Sequence, residues 1–476
     1  MNRIKEKRAL ISVSDRSGVI DLALFLVSEG YSILASDGTA NHLESSGISA
    51  LRIEEVTGAP ELFNGRVKTL HPLIHGAILF DRSDSDQVAE AHEQGISPID
   101  VVVVILYGVE QFDIGGPALI RAAAKNHQSV SILTNPDQYQ EFMNRHRSGI
   151  TPEDRENWAL AALETTARYD LAILRTKGRA LRYGENPHQS ATLVGSFGVA
   201  GARILQGKSP SFNNYLDMDI ATLMVSDHPR NTFVIVKHAM ACGIATDGDS
   251  HAALTKAIDS DPVSAFGGVV AANCEIDKAC AEEISKGFFE VISAPSFSEE
   301  ALSILAEKKN LRLALIESRV VRDFITHEID GGFLFQEPDH LPNPEIENKF
   351  NLVAGPPLNP ESMKDLQFAW RSVARIRSNA ILIAKNEASV GIGMGEVNRL
   401  AAASSAVKRA GNRAIGAVAA SDGFFPFPDG LKVLVDAGVS GIVAPGGSIR
   451  DESVIGAAVE AGVSLYFAAE RHFSHN

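Results

Sequence analysis

Apolar and polar positions alternate along this chain in two rhythms. Between residues 8 and 150, short unbroken apolar runs are each followed by stretches in which apolar residues return every three or four positions. "ALISVS" reads as a strand, and "GVIDLALFLVSEG" has helical spacing and closes on Gly30. "YSILAS" is a second strand and "TANHLESSG" a second helix ending on Gly47. Further on come the strand "IDVVVVILY", the helix "GPALIRAAAKNH", the strand "SVSILT" and the helix "PDQYQEFMNRH". Near-continuous apolar strands alternating with helices predict an α/β fold with a parallel sheet covered by helices. Ligands of such sheets sit beyond the carboxyl ends of strands, which singles out "SDRSG" (14–18), "SDGTA" (36–40) and the segment after "VVVVILY".

The rhythm breaks at "RTKGRALRYGENPHQSATL" (175–193), which places the domain boundary there, with domains at 1–178 and 179–476. The second region shows a faint duplication, at approximately 194–345 and 346–476. "FVIVKHAMACGIA" matches "AILIAKNEASVGIG", each an apolar strand, a Lys at its end, then small residues and glycine. "DPVSAFGG" pairs with "ASDGFFPF", and "EVISAPSFSEE" with "SGIVAPGGSIRDE". Two similar halves predict a site at their interface or at that of a dimer.

Composition narrows the function class. The 476 residues are 45% hydrophobic and 22% charged, ordinary for a soluble globular protein, and a net charge of −15 argues against nucleic acid or anionic membrane as main partners. Cys242, Cys274 and Cys280 form no C-x-x-C pair and suit a reducing cytosol. The start lacks the apolar core of a signal peptide, and "IDVVVVILYGV" is too short to span a bilayer. A cytoplasmic enzyme or binding protein is expected.

Several stretches carry candidate chemistry. "SDRSG", "SDGT" and "DIGG" stand at strand-to-helix turns, where backbone N–H groups either attract phosphate or are simply capped; three in one domain favour an anion site. "GRVKTLHPLIHG" sets Arg66, Lys68, His71 and His75 in a loop that Pro72 should break. Without an acidic or Cys ligand beside the two histidines, a basic clamp for a phosphorylated ligand fits better than a metal site. Lys125 lies among alanines in "IRAAAKN", and a partly desolvated Lys serves as acid or base. "GGSIRDE" (446–452) suits phosphate or carboxylate, whereas "GIGMG" lacks dinucleotide-binding spacing. "FFPFPDG" (424–430) is either a core corner or a platform for a planar ring.

The sharpest feature is "NTFVIVKHAMACGIA" (232–246), where a buried strand leads into Lys237 and His238. A lone His is usually structural and a strand-end Lys usually reaches solvent. Neighbouring side chains on a strand diverge unless it stops, and the small residues that follow are consistent with a stop. A base titrating near neutrality beside an oxyanion-stabilising Lys fits acyl transfer to a poor nucleophile.

The runs "LISVSD", "GRVKTLHPLIHG", "DIGGPALIRAAAKNH", "LRYGENPHQ", "FNNYLDMD", "DPVSAFGG", "SNAILIAK", "ASDGFFPFPDG", "APGGSIRDE" and "RHFSH" together give a further reading. Across nearly its full length the chain resembles the bifunctional purine-biosynthesis family that joins aminoimidazole-carboxamide ribotide (AICAR) formyltransferase to inosinate (IMP) cyclohydrolase. The resemblance implies a methylglyoxal-synthase-like parallel-sheet domain, then two cytidine-deaminase-like α/β subdomains used without zinc. It implies formyl transfer from 10-formyltetrahydrofolate to AICAR and ring closure of formyl-AICAR to IMP. It further implies a cytoplasmic homodimer with the transformylase site shared between subunits, and leaves a monovalent cation open. Carried over by match, Ser14, Asp15, Arg16, Ser36, Asp37, Gly38, Thr39, Arg66, Val67, Thr69, Asp113, Ile114 and Gly115 would bind nucleotide in the cyclohydrolase. Lys68, Tyr107 and Lys125 would assist ring closure, with Lys125 transferring the proton. Arg182, Tyr183, Gly267, Glu290, Asn379, Arg399 and Arg471 would hold AICAR, Asn379 beside the reacting groups; Leu400, Phe424, Asp429 and Gly430 would contact folate. His238 would be the general base and Lys237 would stabilise the formyl group. The chain departs from the family at Ile105, at a missing insert before "DIGG", at Met240 and Ala241, and at Glu396, whose added charge is expected to alter substrate affinity. Two alternatives stand beside this reading: a transformylase whose first domain only binds nucleotide, and a non-catalytic nucleotide-binding regulator.

Overall fold

Five parallel strands in the order β3-β2-β1-β4-β5 form the first sheet of the computed structural model, which describes all residues except 1–6, 60–62, 64–66, 318, 345 and 476. The described residues fall into two units, Met1–Gly178 and Arg179–Asn476. In the first unit the elements are β1 (Lys7–Val13), α1 (Val19–Ser28), β2 (Tyr31–Ala35), α2 (Asp37–Ser45), β3 (Leu51–Arg52), α3 (Ile53–Thr57), α4 (Pro72–Leu79) and α5 (Ser85–Glu93). They continue with β4 (Val101–Ile105), α6 (Gly115–Lys125), β5 (Ser131–Leu133), α7 (Gln138–Ser148) and α8 (Pro152–Lys177). The apolar run 101–104 is fully buried in β4, which lies between the central strand β1 and β5 and is in register with β1 through Ala9 and Val101. Pro72 does not break the loop that holds it: it is the first residue of α4, where its missing N–H leaves no gap, and His71 caps the helix by accepting from Leu73 N at 3.2 Å.

The second unit carries β6 (Arg179–Ala180) and β7 (Thr192–Leu193) as a small pair, then a twelve-stranded sheet. Its first half runs β8 (Arg203–Gln206), α9 (Phe212–Ser226), β9 (Thr232–Lys237), β10 (Met240–Thr246), α10 (Ser250–Ser260), α11 (Pro262–Ala265), β11 (Val269–Ala272), α12 (Lys278–Lys286), β12 (Val291–Ala294), α13 (Glu299–Leu305) and β13 (Arg312–Leu315). After the hairpin β14 (Ile325–Ile329) and β15 (Gly332–Gln336), the second half runs β16 (Phe350–Ala354), α14 (Pro360–Val373), β17 (Ile381–Lys385), β18 (Ala388–Gly393), α15 (Arg399–Ala410), β19 (Val418–Ser421), α16 (Pro428–Asp436), β20 (Gly441–Pro445), α17 (Asp451–Ala461) and β21 (Ser464–Ala468). The strand order β8-β13-β12-β11-β9-β10 meets its mirror β18-β17-β19-β20-β21-β16 at the antiparallel pair β10–β18.

Residue alternation assigns the faces. Val234 and Val236 pack with Met224 of α9 and Phe368 of α14, whereas Phe233 and Ile235 pack with Leu254 of α10 and Ile284 of α12. One expected pairing within the duplication is wrong. "DPVSAFGG" precedes β11 and "ASDGFFPF" overlaps and follows β19, so the counterpart of the former is the segment 411–417 ahead of β19. The side chains confirm it: Lys237 donates to Phe266 O at 2.7 Å and Lys385 to Ile415 O at 2.9 Å.

Candidate functional site

The strand β9 does stop at Lys237, but not because of the small residues after it. Those residues form β10, and the break is a two-residue hairpin turn in which His238 (φ 55°) and Ala239 (φ 60°) are both left-handed. The turn directs both side chains to one place. Lys237 and His238 line a cavity of about 150 Å³ with Met240, Cys242, Ser264 and Arg409. The imidazole is exposed and Lys237 half-buried, so neither is sealed in packing.

Around this turn the first half gathers four of the expected ligand-binding residues. The Lys237 ammonium sits on Phe266 O, one residue before Gly267, which takes a left-handed φ of 77°. Gly267 N donates to Phe288 O at 2.7 Å, and Glu290 follows two residues on. Glu290 Oε2 accepts from Asn214 at the start of α9 at 2.8 Å, while Asn213 donates to Glu185 O at 3.4 Å, tying in the loop that holds Arg182 over the Tyr183 ring. Asn214 and, beneath the turn, Asp217, which accepts from Ala239 N at 2.7 Å, are not among the residues expected from the sequence. Their only signal was their presence in "FNNYLDMD".

A separate group forms in the second half. Arg399, almost fully buried, is ion-paired to Asp422 and donates to Ala380 O at 3.0 Å; Ser378 Oγ donates to Asp422 at 2.5 Å. Asn379 Nδ2 donates to Glu396 O at 2.9 Å. The Glu396 carboxylate accepts from Ser405 of α15 at 2.6 Å, so part of its added charge is taken up within the chain. The C-terminal run crosses this group: His472 N donates to Asp422 O, and Arg471 stacks over Phe473 at 4.7 Å. "FFPFPDG" is both a corner and a platform. Phe425 is buried, Phe424 is half-buried, and Leu400, Asp429 and Phe427 are exposed, while the buried Gly430 packs against Arg399. The segment "GGSIRDE" is already capped by its own aspartate, since Gly447 N and Ser448 N donate to Asp451, which corrects the anion-binding expectation.

In the first unit, the three loops converge at the carboxyl ends of β1, β2 and β4. Ser14 Oγ donates to Leu106 O at 2.6 Å, Arg16 donates to Gly38 O at 3.2 Å, and Ser36 Oγ donates to Thr39 Oγ1 at 3.2 Å. A Cβ at Gly115 would collide with Thr69, so "DIGG" and "VKTL" also meet, with Ile114 and Val67 exposed beside them. Capping takes part of each loop: Asp15 accepts from Ser17 N, and Asp113 from Gly116 N. Lys68 is ion-paired to Asp37, whose carboxyl it holds below its usual range, and has Glu54 at 3.7 Å. Tyr107 is exposed, and Arg66 lies outside the described residues. Lys125 lies at the other end of α6 from these loops. Gly115 opens α6 at the loops, but Asn126, just beyond its end, donates to Ile78 O and Phe80 O at the far end of α4. Eleven helical residues, at a rise of about 1.5 Å each, leave Lys125 roughly 15 Å from Gly115. The motif "DIGGPALIRAAAKNH" thus spans the whole length of α6.

Among the described residues, no group of three or more His, Cys, Asp or Glu side chains is placed to hold a metal ion. No described helix is long and apolar enough to cross a membrane. A family model described as "AICARFT/IMPCHase bienzyme" matches residues 123–409, and an "MGS-like domain" model matches residues 18–130. The bifunctional purine biosynthesis protein PurH of Corynebacterium glutamicum (strain R) is 45% identical over 513 aligned residues, covering 98% of each chain. PurH of Mycobacterium ulcerans (strain Agy99) is 44% identical over 514, again 98% of each. Two units that gather the expected loops and the Lys-His turn, a matching bienzyme model and full-length relatives at 45% identity lead to one conclusion: the chain belongs to the AICARFT/IMPCHase bienzyme family.

Proposed function

We propose that this chain catalyses two consecutive steps of purine assembly: formyl transfer from 10-formyltetrahydrofolate to AICAR in the second unit, then cyclisation of formyl-AICAR to IMP in the first. The observation that carries the reading is the Lys237–His238 turn, presenting a base and a cation to one cavity beside Gly267 and Glu290. The 5-amino group of AICAR is conjugated with its ring and is a weak nucleophile. His238 takes its proton as the nitrogen attacks the formyl carbon, and Lys237 stabilises the oxyanion that forms. Collapse of that adduct expels the N10 nitrogen of tetrahydrofolate, which is protonated on leaving. A positioned base contributes roughly 10²–10⁴-fold, with more from holding the formyl carbon close to the amine. In the first unit the carboxamide nitrogen attacks the formyl carbon with loss of water; Lys68 and Tyr107 handle the protons while the loops at Ser14, Ser36 and Asp113 hold the ribotide.

The transformylase residues fall into two separately braced groups, around His238 and around Arg399, which supports a homodimer in which each copy completes the other's site. The mirrored halves support the cytidine-deaminase-like reading of the subdomains. A monovalent cation at Asp422 would have to share that carboxylate with Arg399 and Ser378. A cytoplasmic location agrees with three cysteines that are all free. The position of Lys125 at the far end of α6 from the loops is the observation behind one alternative, a transformylase with a first unit that only binds nucleotide.

Half-reaction assays separate these readings. His238→Ala is expected to abolish formyl transfer and spare cyclisation of supplied formyl-AICAR, and Lys68→Ala to do the reverse. Equal loss of both activities in either variant would refute the division of labour. Wild-type protein that turns AICAR into formyl-AICAR but yields no IMP would establish the alternative.

A further inference from the structure

We propose that Asp217 is the positioning residue of the formyl-transfer turn: its carboxylate, seated beneath residues 238 and 239, fixes the direction in which the His238 imidazole meets the substrate amine. The inference rests on the proposed role of His238. In a two-residue hairpin turn the two central N–H groups lie outside the strand ladder, and when shielded from water they need another acceptor. α9 supplies one. Asp217 Oδ1 accepts from Ala239 N at 2.7 Å, and the nearby His238 N–H also lowers the proton affinity of the carboxyl. Asp217 is 9% exposed, so few other partners reach it.

The duplicated half shows that the clamp is built into the hairpin. There Asp365 of α14 accepts from Asn386 N at 2.9 Å and Glu387 N at 2.6 Å, beneath a turn with φ values of 55° and 51°. That second turn carries no imidazole. What distinguishes Asp217 is its surroundings: the His238 imidazole at the turn, Glu290 ahead of β12 and the Cys242 thiol on β10 face it. Burial pushes its carboxyl above the usual range, while the backbone donors and the His238 charge act the other way. Protonation of that carboxyl would weaken its hold on the Ala239 N–H, which ties the lower limb of the pH profile to Asp217 itself.

The test compares Asp217→Ala, Asp217→Asn, Asp365→Asn and His238→Ala in the full chain, measuring formyl transfer, cyclisation of supplied formyl-AICAR, folded content by circular dichroism, and the pH profile of transfer. Asp217→Ala should lower kcat for transfer roughly 10- to 100-fold with little change in KM for AICAR. Asp217→Asn should recover part of kcat, because its amide oxygen still accepts one N–H, with the lower limb of the pH profile displaced toward acid. Cyclisation, and transfer by Asp365→Asn, should stay near wild type. Wild-type kcat and pH limb in both Asp217 variants, or a loss matched by Asp365→Asn and by lost folded protein, would overturn the proposal. Transfer surviving in His238→Ala would instead overturn the reading of the site on which the proposal depends.

Discussion

At the scale of single residues, the chemistry concentrates where the backbone is least ordinary. His238 and Ala239 are non-glycine residues in left-handed conformation, at a cost of about 1–2 kcal/mol each, and the Asp217 contacts offset that cost. Lys237 is held on Phe266 O, so its ammonium stays at the cavity and does not swing into solvent. Replacing Lys237 with Met should therefore lower formyl transfer by roughly 10²–10³-fold while leaving cyclisation intact, the loss typical of removing one oxyanion-stabilising donor. Steady-state assays of the two half-reactions check this; a change in KM alone would reassign Lys237 to binding. The identities of Lys237 and His238 could be read from the sequence because a titratable pair ends an apolar strand. The convergence could not, since strand alternation alone sends neighbours apart and only the left-handed turn reverses that. Arg399 likewise offers no sequence sign that its guanidinium would be buried against Asp422.

At the scale of elements, hydrophobic rhythm carried most of the information. β1, α1, β2, α2, β4, α6, β5 and α7 of the first unit lie where apolar runs and helical spacing put them. α4 was hidden because Pro72, usually a breaker, stands at the one helical position that tolerates it. Polar α5 and the two-residue strand β3 offer no strong periodicity at all. The duplication was legible in the hairpins because both need the same small residues. Gly243 lies against the backbone of α10, where a Cβ would strike Ala257 O, and Gly391 lies likewise against Ala406 of α15. Gly243→Ala is therefore expected to destabilise the second unit by about 1–3 kcal/mol, as overpacking does. Denaturant unfolding followed by circular dichroism measures it, and an unchanged midpoint would show that α10 can shift freely.

At the scale of the whole molecule, one buried group ties stability to pH. His228 is buried between α9 and β9, packs on Phe368 at 5.1 Å and bonds Ser372 Oγ at 3.1 Å, and its Nδ1 has no hydrogen-bond partner among the described residues. Burial, aided by the Arg371 charge, pushes its imidazole down to about 3. An unfolded His protonates near 6.5, so below that pH the unfolded state binds a proton that the folded state does not. Stability should fall as pH drops from about 6.5 toward 3, by at most about 1.4 kcal/mol per unit from this residue. His228→Asn should flatten that slope in denaturant unfolding at pH 5.5 and 6.5; an unaltered slope would contradict it. The measurement that bears most directly on the central claim follows tetrahydrofolate release and IMP appearance together, from AICAR and 10-formyltetrahydrofolate, with the intact chain. The account predicts that both products appear in equal amounts, with no lasting pool of formyl-AICAR. Tetrahydrofolate released without IMP would remove the cyclohydrolase from the first unit, and release of neither would remove the chemistry from the Lys237–His238 turn.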